Sequence, residues 1–133
     1  MKILILGAGQ VGGTLATHLA NEQFDVTLVD ENGRSLRTLG ERLDIRTVQG
    51  WASHPDVLRQ AGAEDADMLI AVTSSDEVNM IACAVCSTLF RTPTKIARIR
   101  SATFLEESGF NAQSQLPIDV VINPEEVVTD GIR

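Results

Sequence analysis

Three glycines at positions 7, 9 and 12 and an aspartate at position 30 carry the most legible chemistry in this chain. Gly7-Ala8-Gly9-Gln10-Val11-Gly12 has the spacing G-x-G-x-x-G. In that pattern the first glycine permits a tight turn and the second clears a Cβ from the path of a pyrophosphate. The third lets a helix pack closely on a sheet. A helix opening here aims unpaired N–H groups and a partial positive charge at the phosphates. Asp30 follows Gly7 by 23 residues, at the end of a second apolar run. A carboxylate there accepts hydrogen bonds from adenosine ribose hydroxyls and repels a 2′-phosphate. Arg34 is the nearby cation able to offset that repulsion, although an exposed helix arginine needs no ligand.

These roles require a strand before the glycines and a helix after them. Ile3–Leu6 is a continuous apolar run stopped by Gly7, as in a strand buried on both faces. Val11, Leu15 and Leu19 are four apart and form the stripe of a helix ending near Asn21. Phe24–Val29 is a second strand, and Leu36, Leu39 and Leu43 mark a second helix. The more polar Ile45–Val48 suits a strand at a sheet edge. A short helix is expected over Pro55–Ala61, with Gly62 at its end. Met68–Val72 is a fourth strand, Glu77–Phe90 the longest helix and Lys95–Arg100 a fifth strand. A short helix over Phe104–Gly109, a loop over Gly109–Pro117 and a sixth strand at Val120–Ile122 complete the pattern. The alternation implies βαβ units. The expected class is α/β, a Rossmann doubly wound, mostly parallel six-stranded sheet in the order 3-2-1-4-5-6, with helices on both faces. Residues 1–123 form one nucleotide-binding domain in this reading. Pro124 opens a helix still unfinished at Arg133, so 124–133 is expected to begin a truncated crossover helix of a longer protein.

That strand order puts a ligand between the first and fourth strands, where the winding reverses. Thr73-Ser74-Ser75-Asp76 then faces the glycine turn. Thr73 and Ser74 offer hydroxyls to ribose or phosphate, and Asn79 lies one turn into the helix. Ser74-x-x-Glu77 is also a capping box, which needs no ligand, and one serine can serve either purpose. Arg98 and Arg100 share a parity and hence a side of the fifth strand. Each suits a phosphate or a salt bridge equally.

The net charge of −7 disfavours a nucleic-acid partner, which demands a basic face. No run approaches the roughly 20 apolar residues of a membrane span. Ile3–Leu6 is too short for a signal peptide, and two cysteines are too few for a disulfide framework, so a reducing cytosol is the expected compartment. Cys83-Ala84-Val85-Cys86 is a C-x-x-C, but it falls in mid-helix, away from the helix start that activates such thiols, so buried packing is expected. His18 is expected on or beside the packing face of its helix and His54 as a cap. No catalytic or metal-binding residue is assigned. Glu77–Phe90 carries one stripe of Val78, Ile81, Ala82, Val85 and Leu89, with Met80, Cys83, Cys86 and Phe90 spreading apolar character round the rest. A helix apolar nearly all round is buried on more than one side. A subunit or domain contact is therefore expected on its outer face, through Cys86 and Phe90.

Together with Val48-Gln49-Gly50, Ala66-Asp67-Met68, Ala97-Arg98-Ile99-Arg100 and Ile122-Asn123-Pro124-Glu125, these motifs make the whole chain similar to the RCK/KTN family. That family comprises peripheral regulatory proteins of bacterial Trk potassium-uptake systems. The resemblance implies the N-terminal, nucleotide-binding half of an RCK unit. It implies a non-enzymatic subunit that binds NAD(H), or ATP or ADP at the same site, without consuming it. By implication the protein forms a cytoplasmic homo-oligomeric ring, assembled through Glu77–Phe90, and docks on a membrane-embedded Trk potassium channel subunit at the inner face of the membrane without inserting into it. Matching positions put phosphates on Gly7, Ala8, Gly9, Gln10, Val11 and Gly12, ribose on Asp30, and adenine beside Gly50, Trp51 and Ala52. They put further contacts on Thr73, Ser74, Asn79 and Arg98 or Arg100. Gln10 stands where many relatives carry arginine and Trp51 where many carry an acid, and both departures favour NAD(H) over ATP. The competing reading is the cofactor domain of an NAD-dependent oxidoreductase whose catalytic domain lies beyond Arg133.

Overall fold

The computed structural model describes residues 1–106 and 115–123. The chain runs β1 (Lys2–Leu6), α1 (Gln10–Asn21), β2 (Asp25–Asp30), α2 (Gly33–Arg42), β3 (Arg46–Gln49), α3 (Pro55–Gln60), β4 (Met68–Ala71), α4 (Asp76–Val85), β5 (Thr94–Arg98), α5 (Ala102–Glu106) and β6 (Val120–Ile122). The six strands form one sheet in the order β3-β2-β1-β4-β5-β6. Every pairing is parallel, so the sheet is wholly rather than mostly so. The winding reverses between β1 and β4, with Leu6 opposite Ala71 at their carboxyl ends.

The apolar runs are continuous because both faces of the sheet are covered. Strand parity sorts the side chains into two layers. Ile3, Ile5, Val26, Leu28 and Ile70 pack with Leu36 and Leu39 of α2 and Ala16 of α1 on one face. Leu4, Leu6, Val29, Leu69 and Ala71 pack with Leu58 of α3 and Met80, Ala82, Cys83 and Cys86 of the α4 segment on the other. Asn32 starts α2 by accepting from the N–H groups of Arg34 and Ser35 at 3.0 and 3.2 Å, as an N-cap does.

Several expectations shift in detail. A short 3₁₀ turn at Ala63–Asp65 interrupts the approach to β4, and Gly62 before it has φ +88°. Strand β5 ends at Arg98 rather than Arg100, because the N–H groups of Arg100 and Ser101 are taken by the Asp76 carboxylate at 3.0 and 2.8 Å. The last short helix begins at Ala102, two residues earlier than Phe104. Most of the expected loop 109–117 and all of the expected helix from Pro124 lie outside the described residues.

The largest correction concerns α4. It runs into a π-helical turn, Cys86–Phe90, that closes with Arg91 at φ +53°. Thr92 N–H then donates to the Cys86 carbonyl at 3.1 Å. Cys86 and Phe90 were expected on the outer side, but Cys86 is fully buried in the core layer with Met80 and Cys83, and Phe90 is half-buried against the same layer. The outward side is instead marked by Ile81 and Leu89, 52% and 54% exposed. Two apolar arcs compete on this helix, and only contact with the sheet decides which turns inward. His18 is likewise exposed rather than on a packing face, and its imidazole lies 4.0 Å from Glu22.

Both cysteines are buried, as packing residues should be. Burial, reinforced by the neighbouring Cys86, lifts the Cys83 thiol from 9.0 to about 12. Burial, opposed by a Thr92 hydrogen bond, lifts Cys86 to about 11. The unfolded chain therefore ionises these thiols first, so the stability they lend is complete below about pH 9 and is lost as the pH climbs toward the folded values. At pH 8 a disulfide thiol reagent should leave the folded protein unmodified for the duration of a mixing experiment and titrate both cysteines on unfolding.

Neighbouring helix glycines should behave in opposite ways. A Cβ on Gly12 would stand 1.7 Å from the Gly7 carbonyl oxygen, whereas one on Gly13 meets only Leu39 methyls at 3.5 and 3.7 Å. Gly12→Ala should cost about 3 kcal/mol or more, at the upper end of overpacking. Gly13→Ala should be neutral or gain up to about 1 kcal/mol from helix propensity. Urea unfolding of the two variants checks both.

Candidate nucleotide site

The glycine turn, the ends of β2 and β3, and the β4–α4 connection enclose a cleft of about 570 Å³, within the range of small-molecule sites. It lies at the carboxyl edge of the sheet, at the β1/β4 reversal.

Gly7, Gly9, Gln10 and Val11 form its floor. Gly7 has φ +107°, and a Cβ on it would press against the Val72 carbonyl at 2.9 Å. Gly12 sits beneath the Gly7 carbonyl, outside the cleft. The fold therefore needs both residues as glycine. Gly9 is different: its φ is −74°, open to any residue, and a Cβ built there meets nothing within 4 Å. No side chain caps α1, and its first turn carries no acid. Its leading amides thus open on the cleft without an internal anion to satisfy them.

Asp30 ties the floor to the β2 wall. One carboxylate oxygen accepts from Ala8 N–H at 2.6 Å and the other from Asn32 N–H at 2.7 Å. Ala8 itself, expected among the contacts, is 8% exposed and does not line the cleft; only its amide serves the site, through Asp30. The Asp30 carbonyl accepts from Gly50 N–H at 3.0 Å, which brings Gly50, Trp51 and Ala52 to the same wall. Glu31 and Asn32 also line it. Their signal in the sequence was only adjacency to Asp30.

The opposite wall holds Thr73, Ser74, Ser75, Arg98 and Arg100. Helix α4 is capped by Ser75, not Ser74: Ser75 Oγ accepts from Val78 N–H at 3.2 Å and lies 3.3 Å from Glu77 Oε2. The cap falls one residue later than the Ser74-x-x-Glu77 pattern suggests, which leaves the Ser74 side chain at the cleft. The Ser74 carbonyl accepts from Arg100 Nη2 at 3.4 Å.

Asn79 corrects the expectation of a direct contact. It is fully buried and does not line the cleft. Its Oδ1 accepts from Thr73 N–H at 2.9 Å and Thr73 Oγ1 at 2.7 Å, while Nδ2 donates to the carbonyls of Thr73 and Arg98 at 3.2 and 2.8 Å. With its donors and acceptor engaged, it fastens the β4–α4 connection to β5. A polar residue in an apolar helix stripe was its signal. His54 occupies the N-cap position of α3 but makes no capping bond with its side chain; its ring faces Trp51 instead.

The chemistry is divided by charge. Asp30 and Glu31 stand on one wall, Arg98 and Arg100 on the other, and helix amides lie between. A molecule with vicinal hydroxyls at one end and phosphates beside it matches that order. Among the described residues, no cluster of histidine, cysteine or acids is arranged to hold a metal, and no helix is long and apolar enough to cross a membrane.

Comparison with known proteins agrees with this architecture. The TrkA-N domain model matches residues 3–124. The "Trk system potassium uptake protein TrkA" of Halomonas elongata is 67% identical over 133 residues, covering 100% of this chain and 29% of that protein. The TrkA-N domain of the inner membrane protein ybaL from Escherichia coli superposes with a TM-score of 0.86 at 19% identity, covering 98% of this chain and 93% of that one. The GsuK channel bound to NAD superposes with a TM-score of 0.76 at 23% identity, over 91% of this chain and 21% of that one. GsuK bound to ADP gives 0.77 at 23%, over 95% and 32%. A family match across nearly the whole sequence, on a sheet wound as the glycine motif demands, shows that the chain belongs to the TrkA-N domain family.

Proposed function

We propose that this domain is the nucleotide sensor of a potassium-uptake regulator. It binds NAD(H) in the β1/β4 cleft, with ADP or ATP as alternative occupants, and uses the ligand as an effector rather than a reactant. The observation that carries this reading is Gly9, a glycine on the lining of the cleft that neither backbone conformation nor packing requires, with open space around its Cβ position. Phosphates over the α1 amides and a ribose on Asp30 account for it. Gly50, Trp51 and Ala52 then flank the adenine, while Thr73, Ser74, Arg98 and Arg100 attend the phosphates or second ribose.

The family match and the name of the Halomonas relative support the regulatory role, and GsuK, a channel of the same fold, was solved with NAD and with ADP. The chain spans 29% of the length of that relative, so the membrane partner belongs to the whole protein. We take that partner to be a Trk potassium channel subunit, which the domain meets from the cytoplasmic face. Two nucleotide states gate it by favouring different arrangements of one assembly.

Calorimetry tests the site. NAD+ or NADH should bind, and NADP+ should not. Asp30→Ala should weaken NAD(H) by about 1–3 kcal/mol, the scale for hydrogen bonds to a charged group. Gly9→Ala should unfold within about 1 kcal/mol of the parent yet lose at least about tenfold in affinity, ~1.4 kcal/mol. NADP+ binding as well as NAD+ would remove the role given to Asp30.

The exposed Ile81 on α4 and Leu89 on the π-helical turn after it mark the surface through which we expect copies of the chain to associate. Ile81→Asp with Leu89→Asp should leave the fold intact and reduce the mass seen by light scattering to that of a monomer. An unchanged mass would count against this surface.

A further inference from the structure

We infer that the groove between α1 and α2 is a second anion site, built for a small molecule carrying two phosphate groups. It is separate from the nucleotide cleft and does not depend on what fills that cleft. The groove has a volume of about 430 Å³, within the range of small-molecule sites. Gln10, Thr14 and Thr17 line it from α1, and Arg34, Thr38 and Arg42 from α2. Helical spacing explains both walls. Positions 34, 38 and 42 are four apart and share one side of α2, and positions 10, 14 and 17 do the same on α1. The floor is Gly13 against Leu39, both buried, with the Cβ position of Gly13 at 3.5 and 3.7 Å from the Leu39 methyls. That contact fixes the separation of the walls.

The charge of the groove is one-sided. The chain carries a net −7, yet Arg34, Arg37, Arg42 and Arg46 gather in α2 and at the start of β3. Arg34 and Arg42 line the groove, and among the described residues no aspartate or glutamate does. Nor, among the described residues, does either guanidinium have a hydrogen-bond or ion-pair partner. The sequence offered Arg34 to a 2′-phosphate beside Asp30, but its side chain belongs to this groove and does not line the nucleotide cleft.

The hydroxyls divide by use. Thr17 Oγ1 donates to the Gly13 carbonyl at 2.8 Å and Thr38 Oγ1 to the Arg34 carbonyl at 3.1 Å, so each spends its hydrogen on its own helix. The hydroxyls of Thr14 and Ser35 make no such bond among the described residues and remain as donors to the groove. Two guanidiniums, two hydroxyls and the Gln10 amide form a set rich in donors, as phosphate oxygens require. Arg34 and Arg42 stand about 12 Å apart along the helix axis. That spread suits two phosphates better than one ion, and a concave groove suits a small molecule better than a flat lipid surface.

The test is an amide-resolved NMR titration of the 133-residue chain with pyrophosphate at constant ionic strength. The amides of Thr14, Thr17, Ser35 and Thr38 should shift and saturate, and inorganic phosphate should bind more weakly. Arg34→Gln and Arg42→Gln should each weaken pyrophosphate about tenfold, the scale of a hydrogen bond to a charged group. Arg37→Gln removes the same charge from α2 outside the groove and should bind as the parent does. Shifts confined to Gly7 and Thr73–Ser75 would put the anion in the nucleotide cleft alone and overturn the site. Equal weakening by all three substitutions, or shifts that never saturate, would reduce the groove to diffuse attraction and overturn it as well. Sedimentation with phosphatidylglycerol vesicles should leave the chain in solution. Co-sedimentation that is lost in Arg34→Gln and Arg42→Gln would assign the phosphates to lipid and overturn the soluble ligand.

Discussion

The site depends on how closely the first turn of α1 approaches the loop it leaves. The Gly12 Cα lies under the Gly7 carbonyl with no room for a methyl group. Gly7 can present that carbonyl only because its backbone takes φ +107° against Val72. This contact sets the position of the helix start relative to the sheet, and with it the aim of the leading amides. A helix shifted outward by the width of a side chain would still pack on the apolar layer formed by Ile3, Ile5 and Val26. It would no longer present its N–H groups at the strand ends, where the order reverses.

Asp30 extends that constraint across the sheet. Its carboxylate takes amides from the glycine turn and from the residue that caps α2, and its carbonyl takes the amide of Gly50. One residue thereby joins β1, β2 and β3 at their carboxyl ends. Charged acceptors form strong bonds to backbone amides, so the group offered to a ribose is also held in position by the fold. A carboxylate fixed on two sides has little freedom to withdraw from an approaching anion.

The other wall is built from α4. Asn79 spans Thr73 and Arg98 from inside the protein, and Asp76 holds the amides of Arg100 and Ser101. The residues facing the cleft are thus placed by residues behind it. The outward side of α4 and its closing π-helical turn carries the exposed Ile81 and Leu89, so Asn79 ties the cleft wall to the segment that bears them. A buried amide with all its bonds made tolerates little displacement, since each broken bond strands a polar group away from water.

Periodicity and glycine spacing alone determined the strand order, the two-layer core and the cleft. These depend on patterns local to a few residues: apolar runs for doubly covered strands, four-residue stripes for helices, and glycines where a carbonyl or a tight φ leaves no room for a side chain. Asp30 was legible for the same reason, since its offset from Gly7 is set by one helix and one strand. What the sequence left open were choices between near-equal local alternatives. Ser74 and Ser75 both precede α4 and either can cap it, and the register of the β4–α4 turn selects Ser75. Helix α4 has two apolar arcs, and contact with β4 and β5 turns Cys83 and Cys86 inward and Ile81 outward. Asn79 has the chemistry of a ligand contact, yet burial and four internal bonds commit it to the frame. For the α4 arcs the deciding partner is the sheet, and for Asn79 it includes the Arg98 carbonyl on β5; the choice between Ser74 and Ser75 is settled within the turn itself, by backbone geometry that residue types do not encode.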